Sequence, residues 1–307
     1  MFLRQADSCD GRSPLYAALC RQLAGNARVA AIAPDLRWDF PLRLLGALHW
    51  LVLGGEASWD GIDGALERHA ETLARFTAEQ KVQTNEVGRA WALLPGLLSL
   101  GERRIDLVEP GASAGLLLCL DRYRYRYAAG SWGDGDLELQ GQERGRLPEP
   151  LLNQPLEIVR RRGIDLSPVD VSGDDGARLL RAFVWPGQET RFERLDAAID
   201  VARATRPELI RGDYLDRLSE VLADRGDGLT VVLTSLTTAY LDEERYQTFL
   251  RVLAAAGARA PLAWLSLDSP RHGPQFDGAA LDLTVWPGGE TRRLAHVDYH
   301  AAWLDWL

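Results

Sequence analysis

The chain has 307 residues, enough for one large α/β unit or two coupled units with a sizeable core. Its formal charge of −9, from 44 acidic against 35 basic side chains, and its isoelectric point near 5.2 argue against nucleic acid and anionic membrane surfaces as partners. Three scattered cysteines (Cys9, Cys20, Cys119) without a Cys-x-x-Cys, and five histidines without ligand spacing, argue against a disulfide framework or a bound metal. His296 and His300 are four apart, but in a stretch that reads as extended or irregular. The first residues lack a basic region followed by an apolar core, and the longest strongly apolar run, Leu44 to Leu53, is too short to span a bilayer, so a cytoplasmic location is expected.

Residues 1–100 read as a helical cap. Ser13-Pro14 is an N-cap followed by proline at the first helical position, and Leu15, Leu19 and Leu23 repeat at four-residue spacing. Further helices are predicted over Pro41 to Leu53, over Asp60 to Gln80, and from near Thr84 through Val87, Trp91 and Leu94, with Pro95 kinking or ending the last. From Ile105 the pattern changes to short apolar runs alternating with helical ones, as in a parallel sheet with crossover helices. The predicted strands are Ile105 to Val108, a run ending at Gly163-Ile164-Asp165, Leu209-Ile210, Thr230 to Leu233 and Leu262 to Leu267. Leu281 to Trp286 and Thr291 to Val297 read as a hairpin around Pro287-Gly288-Gly289. Helices are predicted over Asp174 to Phe183, Phe192 to Arg203, Tyr214 to Ala223 and Asp242 to Ala256. Arg122 to Tyr127, alternating arginine with tyrosine, opens an inserted hairpin over about 122–160 with an arginine-bearing face, either a solvated edge ribbon or a flap over a pocket.

The stretch Ile105 to Leu116 spells a strand, a small-residue turn and a helix start, and it supports two chemistries. Gly111-Ala112-Ser113-Ala114-Gly115 is a literal Gly-x-Ser-x-Gly nucleophile elbow, with His272, His296 and His300 downstream as triad partners. Only one strand precedes it, however, and no His-Gly-Gly-type stretch supplies oxyanion donors. Anchored instead on Glu109, the same residues close a strand with a carboxylate and then bring bare backbone to a ligand, as in dinucleotide sites.

Glu109-Pro110-Gly111-Ala112-Ser113-Ala114-Gly115 resembles the acidic-x-Gly-x-Gly-x-Gly loop with which S-adenosylmethionine (SAM) dependent methyltransferases hold their cofactor. Gly163-Ile164-Asp165-Leu166-Ser167 resembles the element that ends their second strand, and Arg211-Gly212-Asp213-Tyr214 the one that ends their third. The resemblance covers residues 103–307. It implies a Rossmann-like, SAM-methyltransferase-type sheet, mostly parallel with a C-terminal antiparallel hairpin, over 101–307. It implies SAM as cofactor, held by Glu109, Gly111, Ala112, Ser113, Gly115, Asp165, Asp213, Tyr214 and Thr234. Within it, Asp165 would meet the ribose diol, Asp213 the adenine amine and Tyr214 the base, while Thr234 to Thr237 would occupy the catalytic face. Two features depart from the pattern: Ser113 stands for the middle glycine, and Glu109 and Asp165 lie 56 positions apart against the usual ~20.

Methyl transfer depends chiefly on positioning, so no universal catalytic residue follows. Asn85, Glu86 and Ser235 are the candidates, the first two in Gln83-Thr84-Asn85-Glu86 just before the first strand. Trp303 and Trp306 beside His300 could line a pocket for the acceptor. The expected function is SAM-dependent methylation of a small molecule. The alternatives are a non-catalytic SAM- or nucleoside-binding protein of the same fold and, less so, a serine hydrolase using Ser113. By Gln83 to Arg89, Glu109 to Leu116, Arg162 to Pro168 and Trp303-Leu304-Asp305-Trp306, the chain is identified as a member of a bacterial family known only as a domain of unknown function, which implies no activity.

Overall fold

The computed structural model describes residues 1–33, 37–271 and 276–307. It divides into two compact units, one of residues 1–85 and 170–196, the other of 86–169 and 197–307. In chain order the helices are α1 (Phe2–Cys9), α2 (Pro14–Leu23), α3 (Ala27–Ile32), α4 (Phe40–Leu53), α5 (Ile62–Arg68), α6 (Ala70–Glu79), α7 (Arg89–Leu98), α8 (Asp174–Ala182), α9 (Glu189–Thr205), α10 (Tyr214–Ala223) and α11 (Glu243–Gly257). The strands are β1 (Arg104–Pro110), β2 (Arg124–Tyr127), β3 (Gly130–Trp132), β4 (Glu138–Gln140), β5 (Gln142–Glu143), β6 (Glu157–Asp165), β7 (Glu208–Arg211), β8 (Leu229–Ser235), β9 (Leu262–Asp268), β10 (Ala279–Trp286), β11 (Glu290–Val297) and β12 (Trp303–Trp306). Among the described residues no helix is long and apolar enough to cross a membrane.

The first unit is helical, and α8 with the start of α9 belongs to it. Ser13 caps α2 by accepting the Tyr16 N–H. Ten of the fourteen residues of α4 are buried, which makes it the central helix and explains its nearly continuous apolar run. Asp60 to Gln80 is not one helix: a 3₁₀ turn, α5 and α6 follow one another with a break at His69. The helix predicted from Thr84 begins only at Arg89, because Asn85 adopts a positive φ of 36° and the Thr84 carbonyl is taken by Arg191 at 2.7 Å.

The second unit is a mixed α/β unit built on a nine-stranded sheet, in the order β5-β12-β11-β10-β9-β8-β1-β6-β7. Its centre, β7-β6-β1-β8-β9, is parallel; β10 and β11 add antiparallel strands beyond β9. β1 is buried at six of seven positions and β9 at all seven, which is why both read as largely apolar runs. One face carries α10 and α11, packed on Val108, Ile164, Val232 and Trp264. By strand alternation Leu107 and Glu109 lie on the other face, with α7. The buried Arg162–Asp106 pair, at 2.7 Å, joins β6 to β1, and Arg162 also donates to the Val221 carbonyl of α10.

Two predicted elements differ. No α-helix follows the small-residue turn: Leu117–Arg122 is a 3₁₀ helix. Leu116 to Leu120 are all buried, so this segment has no solvent face on which an amphipathic helix could settle. Nor is the insertion a simple hairpin, since β2 pairs with β3 antiparallel and with β4 parallel in a three-stranded sheet. Its arginines lie outside, Arg124 and Arg126 pairing with Glu138 at 3.1 and 2.9 Å, and its tyrosines inside. The Tyr123 and Tyr125 hydroxyls donate to the Leu116 and Leu120 carbonyls, both at 2.6 Å, so the insertion braces the 3₁₀ segment. Tyr127 donates at 2.6 Å to the Trp91 carbonyl. That carbonyl would otherwise receive the N–H four residues on, which Pro95 lacks, and α7 therefore runs through Pro95 to Leu98.

Candidate functional site at the carboxyl ends of the strands

From β1 the chain moves to one side of the sheet (β6, β7) and then to the other (β8, β9), so the carboxyl ends of β1 and β8 flank a topological switch point. In open α/β sheets such a crevice is where ligands bind. The loop leaving β1 has a distinctive backbone: Gly111, Ser113 and Gly115 take φ values of 75°, 52° and 71°. Alternate residues are thus left-handed, a conformation glycine adopts freely and serine only at a cost. The position of the expected middle glycine keeps a glycine-type backbone although serine fills it.

The end of β6 fastens this loop. The Ile164 carbonyl accepts the Gly111 N–H at 2.7 Å, and Asp165 Oδ2 accepts the Ser113 N–H at 2.9 Å. Asp165 Oδ1 accepts the Ser167 N–H at 2.8 Å, and the Ser113 carbonyl accepts the Val169 N–H at 3.1 Å. Gly163 has no alternative, since a Cβ there would lie 2.5 Å from the Ala112 Cβ and 2.7 Å from Leu209. The close approach of loop to strand therefore depends on the glycine of Gly163-Ile164-Asp165.

Glu109, at the tip of β1, is 4% exposed, and its Oε2 is buried without a hydrogen-bond partner. Burial, and then the neighbouring Asp165 carboxylate, push its carboxyl well above the ordinary value of 4.5, while Arg89 acts against them. Arg89, buried at the start of α7, donates to the Tyr299 carbonyl at 2.9 Å and reaches Ser235 Oγ at 3.5 Å. Glu86 is also buried; its Oε1 accepts the Gly88 N–H at 3.1 Å and its Oε2 lies 3.6 Å from His300 Nδ1. At the end of β9, Asp268 accepts the Thr238 and Ser269 N–H groups, at 2.9 and 3.0 Å, and burial raises its carboxyl.

The structure thus brings Glu109, Gly111, Ala112, Ser113, Gly115, Asp165, Glu86 and Ser235 to the carboxyl ends of β1, β6 and β8. The remaining expectations fare differently. Thr234 is fully buried one position before Ser235, on the opposite face of β8, where its Oγ1 accepts the Trp264 indole N–H at 2.9 Å. Asp213, after β7, caps α10 through the Leu215 N–H and pairs with Arg245. The Tyr214 ring lies edge-on to Phe249 with its hydroxyl buried and unpartnered. Asn85 belongs to the helical unit. Trp303 and Trp306 fall in β12, with Trp303 beneath the Arg144 guanidinium. His272 lies outside the described residues.

Arg89, Asp268 and Tyr299 were not singled out from the sequence. Asp268 carried the same signal as Glu109, a carboxylate closing an apolar strand; the other two carried none apart from the fold. Among the described residues no group of acidic, histidine or cysteine side chains could hold a metal ion. A hollow of about 700 Å³ opens at the opposite ends of β1 and β6, beside Arg104, Arg122, Glu157 and Arg161. It is a groove between charged side chains that already pair, Arg161 with Asp121 above all, and we place the site at the switch point instead.

The chain matches, over residues 1–306, the family described as "Uncharacterized protein conserved in bacteria (DUF2332)", and it belongs to that family. No curated protein matches it.

Proposed function

We propose, with that family membership as the premise, that residues 86–169 and 197–307 form a Rossmann-like, SAM-methyltransferase-type unit that binds SAM at the carboxyl ends of β1, β6 and β8 and methylates a small molecule. The alternating left-handed backbone at Gly111, Ser113 and Gly115 carries this reading. It is the conformation through which a glycine loop presents bare backbone to a ligand. The side chains support a cationic ligand: Glu109 holds a buried oxygen without a hydrogen-bond partner, and the Asp165 carboxylate stands beside it. SAM would bring a sulfonium and an ammonium group, and its sulfonium would supply an electrophilic methyl group. Glu109 would face that charge, and the Gly111–Gly115 backbone would lie against the ligand. Asp165 would offer the ribose diol the lone pairs left after it has bound the Ser113 and Ser167 N–H groups.

Isothermal calorimetry with SAM and with S-adenosylhomocysteine tests the proposal, with Glu109→Ala as control. Binding of either ligand that weakens in the variant supports it; no heat at high micromolar concentration for either ligand refutes it. Binding without methyl transfer would leave the non-catalytic, nucleoside-binding alternative. The φ of 52° at Ser113 also suits a nucleophile elbow, but that motif sits on a strand-to-helix turn and a 3₁₀ segment follows here. Covalent labelling of Ser113 by a fluorophosphonate would favour the hydrolase instead.

A further inference from the structure

The turn between β11 and β12 is held more firmly than a connection needs. Asp298 Oδ1 accepts the His300 and Ala302 N–H groups, at 2.9 and 3.1 Å, and Ala301 takes a left-handed φ of 59°. Tyr299 ties the turn to two other elements: its carbonyl accepts from Arg89, and its hydroxyl meets Ser269 Oγ, just after β9, at 3.3 Å. Through Arg89 the turn is also linked to Ser235 at the tip of β8. These bonds fix the place of His300. Its Nδ1 faces the buried Glu86 carboxylate at 3.6 Å, while the side chain stays 45% exposed.

An imidazole with one nitrogen on a buried carboxylate and its other edge open is the arrangement of an oriented proton acceptor. A carboxylate beside Nδ1 favours the tautomer with hydrogen on Nδ1, which leaves the Nε2 lone pair free to take a proton. Packing alone does not call for this, since a half-exposed histidine needs no carboxylate beside it.

We propose that His300 is the general base of this site, with Glu86 as its positioning residue, and that the methyl acceptor is a weak acid, a hydroxyl or thiol, that must lose its proton to react. This rests on the SAM reading above. The acceptor O–H or S–H proton passes to His300 Nε2. The electron pair left on oxygen or sulfur forms the new bond to the methyl carbon, and the old C–S bond breaks with its pair left on sulfur, so that the sulfonium becomes a thioether. The imidazolium then returns its proton to water.

The full-length protein, with SAM and a panel of phenols, aliphatic alcohols, thiols and amines, tests this. Turnover is expected with a hydroxyl or thiol acceptor. His300→Ala should lower kcat about 100-fold or more while calorimetry finds S-adenosylhomocysteine binding unchanged, and free imidazole in the buffer should restore part of the rate. Glu86→Gln should lower kcat less than His300→Ala does, and Glu86→Asp, which keeps the carboxylate, should retain part of the rate that Glu86→Gln loses. Rescue by imidazole separates a missing base from a disturbed turn. The proposal is overturned if ligand binds but nothing on the panel is methylated, if only amines are methylated, if His300→Ala keeps its rate, or if imidazole fails to rescue it. Failure of SAM and S-adenosylhomocysteine to bind the wild type would instead overturn the functional reading beneath it.

Discussion

Replacing Glu109 with glutamine removes a carboxyl group that the fold holds against its own preference. Glutamine keeps the size and shape but cannot ionise, so the comparison isolates the charge. In the folded protein the carboxyl is pushed well above 4.5, by burial first and by Asp165 second. Below pH 4.5 folded and unfolded states both carry the proton and the variant gains nothing. As pH rises past that value the unfolded chain ionises while the native state keeps its proton. Native stability then falls by up to about 1.4 kcal/mol per pH unit until the folded group also ionises. By pH 6.5 the variant should be more stable than the wild type by about 1–3 kcal/mol, the range expected for a buried polar atom without a partner. Urea unfolding followed by circular dichroism at half-unit steps from pH 4 to 8 measures the gap. Equal stabilities throughout, or a variant less stable at neutral pH, would mean that Glu109 is ionised and compensated in the native state, and the cation-binding argument would lose its main support. If the proposed function is right, the stabilised variant also binds SAM at least tenfold more weakly, because the oxygen that strains the apo protein is the one the ligand satisfies.

Four further changes test the architecture. Ser113→Gly should leave thermal stability equal or slightly raised and ligand binding intact, whereas Ser113→Val, β-branched at a φ of 52°, should lower stability by about 1–3 kcal/mol; equal melting temperatures for the two variants would contradict the assigned backbone. Gly163→Ala drives a methyl group into Ala112 and Leu209, and a loss of about 1–3 kcal/mol in chemical denaturation, with loss of ligand heat, is expected. Tyr127→Phe strands the carbonyl that Pro95 leaves open, at a cost of about 1–3 kcal/mol, and Pro95→Ala should recover part of it by restoring the N–H, so a double-mutant cycle with no coupling would refute the account. His49, packed among Tyr16, Trp59 and Phe192, has its imidazole lowered from 6.5 to about 4, chiefly by burial. Its neutral form therefore stabilises the helical unit above pH 6.5, and about 3 kcal/mol is lost as pH falls to 4; NMR finding His49 protonated at pH 6 would refute this.

What the sequence revealed, and what it concealed, follows from the range of the forces involved. The strands β1, β8 and β9 were legible because burial on both faces leaves largely apolar runs, and the span from Tyr214 to Ala223 was legible because Asp213 caps it locally. The β1 loop could be located for the same reason, since its glycines answer a local backbone demand. The insertion misled because alternation reports two faces but not the number of partners: Arg124 to Tyr127 would look the same in a hairpin as between β3 and β4. Pro95 misled because its remedy, Tyr127, lies 32 positions away. Within the site, Thr234 and Ser235 were given neighbouring roles, yet adjacent residues of a strand face opposite ways. Arg89 and Tyr299 were missed because they meet only when α7 and the β11–β12 turn arrive together over β8.

Asp165 shows how such a loop can be both built and ready for a ligand. Its two oxygens already hold the Ser113 and Ser167 N–H groups, which looks like a carboxylate with purely structural work. A carboxylate has about four lone-pair sites, however, and two backbone bonds leave room for two more acceptances. A diol donating to those sites would not compete with the Ser113 bond. It would bind only when the carboxylate is held in the same orientation that secures the loop. Loop order and ligand affinity are then linked through one side chain, and each should raise the other by the same factor.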